Sequence, residues 1–456
     1  MTFTIEDIVS KKLCTGCGIC ISESETSRMV WDEEGFLVPL LDDSFNSLAV
    51  KICPFNPNPE KEVYNENVLA DLFLNEATNR QQKIGKYINT YVGFSKEYRP
   101  TSSSGGIATY VFEKLLTDKI VDHIFIVKEV DGKYEYQLFN DVSNIVEISK
   151  TKYTPVTLEK LFIDLDSIKG KVAVSGIACF IKAIRLKQFY YPEYKEKIPF
   201  LIGIICGGLK SNFFTDYLAQ KAEIKSTYSK QDYRIKNPKS QSNDYSFGAY
   251  DSNQEFKQVR MQTIGDMWGT GMFKSNACDF CDDVTTELAD ISLGDAWIHP
   301  FTNDGLGNSI VVTRSTLAEN IIQKGIEIKD LRLQDLSLNN FLASQQGSFN
   351  HRHTGLSVRL NWVKKENKSI MPPKRYENEK VTIDFKMVQK QRMKVRAKSL
   401  EIWRNNPDAN FFDKTIEKHL KKLRFLTKIY HKRRLLIHKK NRLIEIVIKT
   451  FFSRKN

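Results

Sequence analysis

Histidine is scarce in this chain of 456 residues. There are seven, and only His351 and His353 stand close together, with no further metal-spaced partner. A solvated loop accounts for that pair. No G-x-x-x-x-G-K-[ST] run and no G-x-G-x-x-G run occurs, so neither an ATPase nor a standard nicotinamide-binding unit has support. Long apolar runs are also missing. Stretches such as Phe200 to Cys206 fall far short of the roughly 20 residues a membrane-spanning helix needs. The first twelve residues include Glu6 and Asp7 and lack an apolar core. No secretory signal is expected, and a reducing, cytoplasmic setting follows.

What is present is ordinary globular composition, 41% hydrophobic and 27% charged, in a length that suits two to three domains. The net charge of +13 is unevenly distributed. From Asp384 onward there are 22 lysines and arginines against six acids, a balance of +16, which leaves the first 383 residues at −3. A slightly acidic body therefore carries a strongly basic tail.

The eight cysteines divide into two sets. Cys14, Cys17 and Cys20 form C-x2-C-x2-C, and Cys53 is followed by Pro54. This is the bacterial ferredoxin run with a remote C-P ligand. Three thiolates on a tight loop can wrap one face of a 4Fe-4S cluster, and Gly16 and Gly18 allow the loop's dihedrals. Ser24 stands where a second-cluster ligand would be, so the spacing predicts one cluster here. A four-cysteine zinc site is the competing reading, but it more typically uses paired C-x2-C knuckles. In the second set, Cys278 and Cys281 form a C-x2-C pair, whereas Cys179 and Cys206 each follow an apolar, strand-like run. Two cysteines at the carboxyl tips of buried strands can converge. They can equally be small buried hydrophobes.

The segments Thr101-Ser-Ser-Ser-Gly-Gly-Ile-Ala-Thr109, Ser175-Gly-Ile-Ala-Cys179, Gly203-Ile-Ile-Cys206-Gly-Gly, Ala277-Cys-Asp-Phe-Cys281 and Ala289-Asp-Ile-Ser-Leu-Gly-Asp295 occur in that order. The set resembles the beta-subunit family of coenzyme F420-reducing hydrogenases and dehydrogenases over roughly residues 90 to 340. The resemblance implies a flavin, FAD or FMN, beside a 4Fe-4S cluster held by Cys179, Cys206, Cys278 and Cys281. With the N-terminal module that makes two clusters and uses all eight cysteines. The family's Gly-Thr-Pro-Cys-Gln segment reads Gly176-Ile-Ala-Cys179-Phe here, which puts the electron acceptor in doubt more than the cluster.

Ser102, Ser103, Ser104, Gly105 and Gly106 immediately precede a helix-forming stretch from Ile107. Free N–H groups and the positive end of the dipole make such a terminus an anion site. An ordinary serine N-cap is the plainer alternative. The resemblance favours flavin contact. Asp295 and Trp297 follow a short strand and either face the flavin or substrate, or serve as turn and core residues.

The expected architecture is α/β. Residues 1–60 form an α+β ferredoxin-type module and 61–90 a connector. Residues 91–340 form a mixed α/β flavin and iron-sulfur domain, in which strand-like and helical runs alternate. Residues 341–383 read as linker and 384–456 as a basic amphipathic helical tail. The polar stretch from Ser226 to Ser246 reads as a loop or peripheral hairpin. The tail's apolar stripe, Leu420, Leu423, Leu426, Tyr430, Ile437, Leu443, Val447 and Phe451, fits an anionic membrane surface, peripheral at its inner face, or a protein partner. Nucleic acid is the weakest option because no recognition module accompanies the charge. The expected activity is an iron-sulfur flavoprotein oxidoreductase that exchanges hydride with an organic substrate or deazaflavin. Its electron partner would be ferredoxin, a deazaflavin or a nicotinamide. The alternative is a non-catalytic electron-transfer subunit of a larger reductase, one that could be tied to surface polysaccharide synthesis.

Overall fold

The computed structural model describes residues 3–365, 370–376 and 379–453, with side chains through 437 in the last stretch. Its body is carried by β1 (Asn89–Ser95), β2 (His123–Val130), β3 (Lys133–Phe139), β4 (Val172–Ile177) and β5 (Phe200–Ile204). A peripheral trio follows, β6 (Ser229–Ile235), β7 (Ser246–Tyr250) and β8 (Phe256–Arg260), and then β9 (Ile291–Asp295), β10 (Ser309–Thr313) and β11 (Leu331–Asp335). Eight of these form one sheet in the order β11-β1-β10-β9-β5-β4-β2-β3. Its centre, β9, β5, β4 and β2, is parallel. Both flanks are antiparallel. The α/β expectation holds, with a mixed rather than purely parallel sheet.

Strand sequence explains the layering. β4 and β5 are nearly continuous apolar runs, as parallel strands covered on both faces should be. Side chains alternate between faces. Ala173, Phe200 and Ile202 join α1 (Ile107–Thr117) in one core, whereas Val172, Val174 and Leu201 join α2 (Ala178–Tyr190) in another. A third core gathers α3 (Phe213–Lys221) with the trio β6–β8. The stretch from Ser226 to Ser246 is thus the first hairpin of a three-stranded sheet. α4 (Thr316–Glu327) packs its Ala318, Ile321 and Ile322 beside α1.

The N-terminal module contains a short helix, Ile5–Ser10, and a hairpin, Met29–Trp31 with Leu37–Pro39. It is fastened to the body. Leu158 N–H donates to the Cys17 carbonyl at 2.9 Å, and Met29 N–H donates to Glu159 Oε2 at 2.8 Å. Lys187 and Glu23 form a buried ion pair across the same junction. In the connector, Asn65 caps the helix Glu66–Phe73, and Glu66 pairs with the buried Lys182 at 2.9 Å.

Two readings need correction. Much of the stretch read as linker is helical, including α5 (Gly355–Lys365), and it buries Arg352, Arg359 and the side chain of Arg375 against the Cys278–Glu287 segment. Arginine can serve as core material there because carbonyls and carboxylates wait for it. His351 and His353 belong to this run and are not solvated. His353 is buried and stacked on Tyr376 at 3.7 Å, and His351 Nε2 lies 2.7 Å from Lys274 Nζ.

The tail forms α6 (Ile383–Asn405) and α7 (Ala409–Ser453). Trp403, Phe412, Ile416, Leu423 and Leu426 are buried in the core that holds Tyr217 and Phe273. The apolar stripe is therefore docked on the body over its first half, and the Tyr430 ring lies tilted against Phe385 at 5.3 Å. Ile437 is exposed. The side chains of Leu443, Val447 and Phe451 lie outside the described residues. No helix among the described residues is long and apolar enough to cross a membrane.

Candidate functional site

The C-x2-C-x2-C loop folds as its glycines allow. Gly16 and Gly18 have φ of +72° and +75°, the left-handed region that glycine enters without strain. The loop then closes into the turn Ile19–Glu23. Cys53 approaches from the end of a separate helical turn, its N–H bonded to the Val50 carbonyl. Cys14, Cys17, Cys20 and Cys53 line one small cavity with Leu13, Ile52 and Phe55. Burial pushes the Cys14 thiol up to about 12 and raises Cys17, Cys20 and Cys53 as well. Four thiols so poorly solvated, Cys17 buried and the others half-buried, are hard to ionise without a cationic centre between them, so the donor set suits a cluster. Ser24 lies apart: its hydroxyl contacts Ser44 and accepts the Ser27 N–H at 2.9 Å.

The second set also converges. Cys179 opens α2 directly after β4, Cys206 follows β5, and Cys278 and Cys281 flank the end of the short helix Ala277–Phe280. The charges of Cys281, Cys206 and Cys278 all bear on the buried Cys179 thiol, and so does Cys17 of the first set. Burial pushes Cys281 up to about 12. Gly208 N–H donates to Cys206 Sγ at 3.3 Å, and Leu209 N–H to Cys278 Sγ at 3.1 Å. Such N–H···S bonds are a familiar way of holding cluster ligands. Cys17 belongs to, and Cys179 packs against, the same apolar core. Among the described residues no three His, Cys, Asp or Glu side chains are grouped as ligands of a single metal ion.

A cavity of about 950 Å³ opens at the carboxyl edge of the parallel strands. It lies where open α/β sheets bind ligands, and it is large enough for a substantial one. Ser102, Ser103, Ser104 and Gly106 line it, as do Asp295 and Trp297, and Cys206 and Gly208 form part of the same wall. Gly105 does not face it. A Cβ there would stand 2.5 Å from the Gly93 carbonyl oxygen, so this glycine is required by packing against β1. The serines are largely engaged by the protein. Ser103 Oγ accepts the Thr151 N–H at 2.9 Å, Ser104 Oγ donates to the Asn308 carbonyl at 3.0 Å, and Ser102 pairs with Thr109. What remains for an anion is the amino end of α1, with Gly106 at its N-cap and no side-chain cap bond. Lys236 braces this loop from behind, donating to the carbonyls of Ser104 at 2.7 Å and Arg99 at 2.5 Å.

Several wall residues carried no sequence signal. Lys150, Lys152, Lys210 and Arg234 bring basic side chains, and Tyr153, Tyr245 and Trp268 bring rings. Arg234 pairs with Asp295 at 2.6 Å and lies over Tyr245, so Asp295 positions a cation beside an aromatic wall. The Asp290 carboxylate, just before β9, pairs with the buried Arg185 at 3.0 Å. Lys210 is buried, with Nζ donating to the Met267 and Met272 carbonyls at 2.8 and 2.6 Å, and burial pushes it down to about 7.

An α/β body with a large cavity abutted by cysteines is the frame in which the chain's relatives can be compared. The family described as coenzyme F420 hydrogenase/dehydrogenase, beta subunit N-term, matches residues 90–162, and the corresponding C-terminus family matches residues 169–338. The chain belongs to this beta-subunit family of oxidoreductases. It is 22% identical over 361 residues to the coenzyme F420-dependent sulfite reductase of Methanocaldococcus jannaschii, covering 74% of this chain and 51% of that protein. It is 24% identical over 228 residues to one subunit of the F(420)H(2) dehydrogenase of Methanosarcina mazei, covering 48% of this chain and 61% of that protein. It is also 23% identical over 241 residues to the beta subunit of the coenzyme F420 hydrogenase of Methanosarcina barkeri, covering 50% and 78%. The chain thus spans about half the length of the first of these relatives. A chain of the F420-reducing [NiFe] hydrogenase complex of Methanosarcina barkeri aligns at 19% identity and TM-score 0.49, covering 65% of this chain and 99% of that one.

Proposed function

We propose that the protein is an iron-sulfur flavoprotein oxidoreductase with two four-thiol sites and one flavin, FAD or FMN. The observation that carries this reading is the shared wall. Cys206 and Gly208 line the same cavity as Ser102–Ser104 and the amino end of α1. The first site would use Cys14, Cys17, Cys20 and Cys53, and the second Cys179, Cys206, Cys278 and Cys281. When bound, a flavin links one-electron chemistry to hydride exchange with an organic substrate or a deazaflavin.

The chain's own residues do the positioning. The N–H groups at the start of α1 receive a phosphate, and Lys236 keeps the loop that presents them in place. Tyr153, Tyr245, Trp268 and Trp297 supply flat apolar walls, and Arg234, held by Asp295, offers charge to an anionic part of the ligand. The apolar core that Cys17 and Cys179 share limits the access of water to these two ligands. Anaerobic purification followed by iron, sulfide and flavin analysis tests the reading. About eight irons and one flavin per chain are expected from the ligand count. Zinc in place of iron, or no releasable flavin, would refute it.

A second reading is favoured by two of the relatives, which are named as subunits of larger enzymes. The protein would then pass electrons to a partner subunit and have no substrate of its own. Reduction of a deazaflavin or nicotinamide by the isolated protein separates the two readings. The tail offers a further contact. Phe425, Ile429 and Leu436 face outward among exposed Lys421, Lys422, Lys428 and Lys432, a composition suited to an anionic surface.

A further inference from the structure

The two thiol sets stand in unequal electrostatic surroundings. Arg352 is buried, and its Nη1 lies 3.6 Å from Cys281 Sγ while donating to the Asp283 carbonyl at 2.6 Å. The charges of Cys281, Cys206 and Cys278 all act on this guanidinium. Among the described residues it has no carboxylate partner, and Asp279 and Asp282 are matched by other cations, whereas the buried Asp283 has only a backbone donor and, like Asp282, opposes Arg352 at Cys281. Asp279 pairs with Lys274 at 2.6 Å and with Arg396 at 2.8 Å, and Asp282 lies 3.4 Å from Arg375 and 3.8 Å from Lys374. Asp283 accepts the Glu287 N–H at 2.9 Å. The positive charge of Arg352 is therefore left for the sulfurs. Two backbone N–H···S bonds, at Cys206 and Cys278, act in the same sense.

The N-terminal set has no such cation in contact with its sulfurs among the described residues. Backbone donors act on this set too, Gly16 N–H on Cys14 at 3.4 Å, Gly18 and Ile19 on Cys17 and Phe55 on Cys53, so the difference lies in the ionic side chains: the Asp32 carboxylate bears on Cys14. Lys182 bears on Cys53, but its charge is met by Glu66 at 2.9 Å.

We propose that Arg352 gives the Cys179/Cys206/Cys278/Cys281 site a higher reduction potential than the Cys14/Cys17/Cys20/Cys53 site, so that electrons run from the N-terminal module toward the cavity. This rests on the two-cluster reading above. Reduction adds one negative charge to the site. A buried cation at the ligand sulfurs stabilises that charge, and a carboxylate opposes it; N–H donors do so at both sites and do not distinguish them. In the transfer one electron leaves the outer site, which is oxidised, and one arrives at the inner site, which is reduced. No bond or proton changes hands. A low-potential one-electron donor protein re-reduces the outer site. Arg352 is a positioning residue here: it acts through sulfur and touches no substrate.

The test is an EPR-monitored redox titration of the full-length holoprotein. Wild type should give two midpoints. Removing the outer site with Cys53→Ala should halve the iron and leave the higher midpoint, and survival of the lower one would overturn the proposal. Arg352→Met, at unchanged iron content, should lower the inner midpoint by at least a tenfold change in its reduction equilibrium, which is about 59 mV for one electron. Arg352→Lys should restore most of the shift. An unchanged midpoint in a fully loaded R352M protein would overturn the proposal. If R352M loses iron, the Cys53→Ala comparison decides. Wild-type protein with only about four irons would instead sink the two-cluster reading, and this inference with it.

Discussion

At Gly18 a Cβ would stand 2.0 Å from Thr157 Oγ1, on a backbone already at φ +75°. Alanine there adds left-handed strain of about 1–2 kcal/mol to a steric clash. Gly18→Ala is expected to lose the outer iron while keeping inner iron and flavin, as read by iron and flavin per chain. Lys236 makes a second residue-scale case. Burial, aided by Arg234 and Arg99, pushes its ammonium down to about 7. The charged form dominates below that pH and the neutral form above it. If the amino end of α1 is a flavin phosphate site as proposed, flavin affinity measured by fluorescence quenching should therefore fall as pH rises through 7, because that end loses a nearby positive charge. Lys236→Met should flatten that dependence and bind with the weaker, high-pH affinity throughout.

Among the elements, α6 and α7 behave differently from an appended anchor. Arg396 of α6 pairs with Asp279, between Cys278 and Cys281, and Ser399 Oγ accepts the Phe273 N–H at 2.8 Å. Cutting the chain at residue 384 is therefore expected to lower soluble yield and inner iron together. Trp403→Ala alone should cost about 3–5 kcal/mol, a typical penalty for emptying a buried aromatic site, seen as a lower denaturation midpoint. Cutting after His431 removes no buried apolar side chain that the structure describes and should leave iron and flavin unchanged. If the tail contacts an anionic surface, this shorter cut should weaken salt-sensitive binding to vesicles containing anionic lipid. Equal vesicle binding by both forms would rule that contact out.

For the molecule as a whole, legibility in the sequence followed distance along the chain. The Cys14–Cys20 loop could be read because its ligands and its glycines lie within seven residues. The meeting of Cys179 with Cys206 was readable as an option because parallel strands gather their carboxyl ends at one edge. The buried roles of Arg352, Arg359 and Arg375 could not be read. A solvated arginine and a buried one look alike until the distant groups they serve, Asp283, Asp279 and Glu287 among them, are known. The same blindness made a helical, tightly packed segment look like linker. In the tail, the period of apolar residues correctly gave a face but could not say whether lipid or protein covers it. The full wall of the large cavity was hidden for a related reason. Its basic side chains and rings come from separate elements, with no shared spacing.

The fastening of the N-terminal module has a kinetic consequence. Leu158 and Thr157 hold the Cys17 loop, Glu159 holds Met29 and Lys187 holds Glu23 against the body by hydrogen bonds and a buried ion pair. A carrier module that swings between docking positions is slowed by viscous solvent. A module clamped in this way has no such stroke to make. Transfer from the first thiol site to the second is therefore expected to proceed at the same rate in buffer and in concentrated glycerol or sucrose. A stopped-flow rate that falls in proportion to viscosity would mean that the clamp opens during turnover.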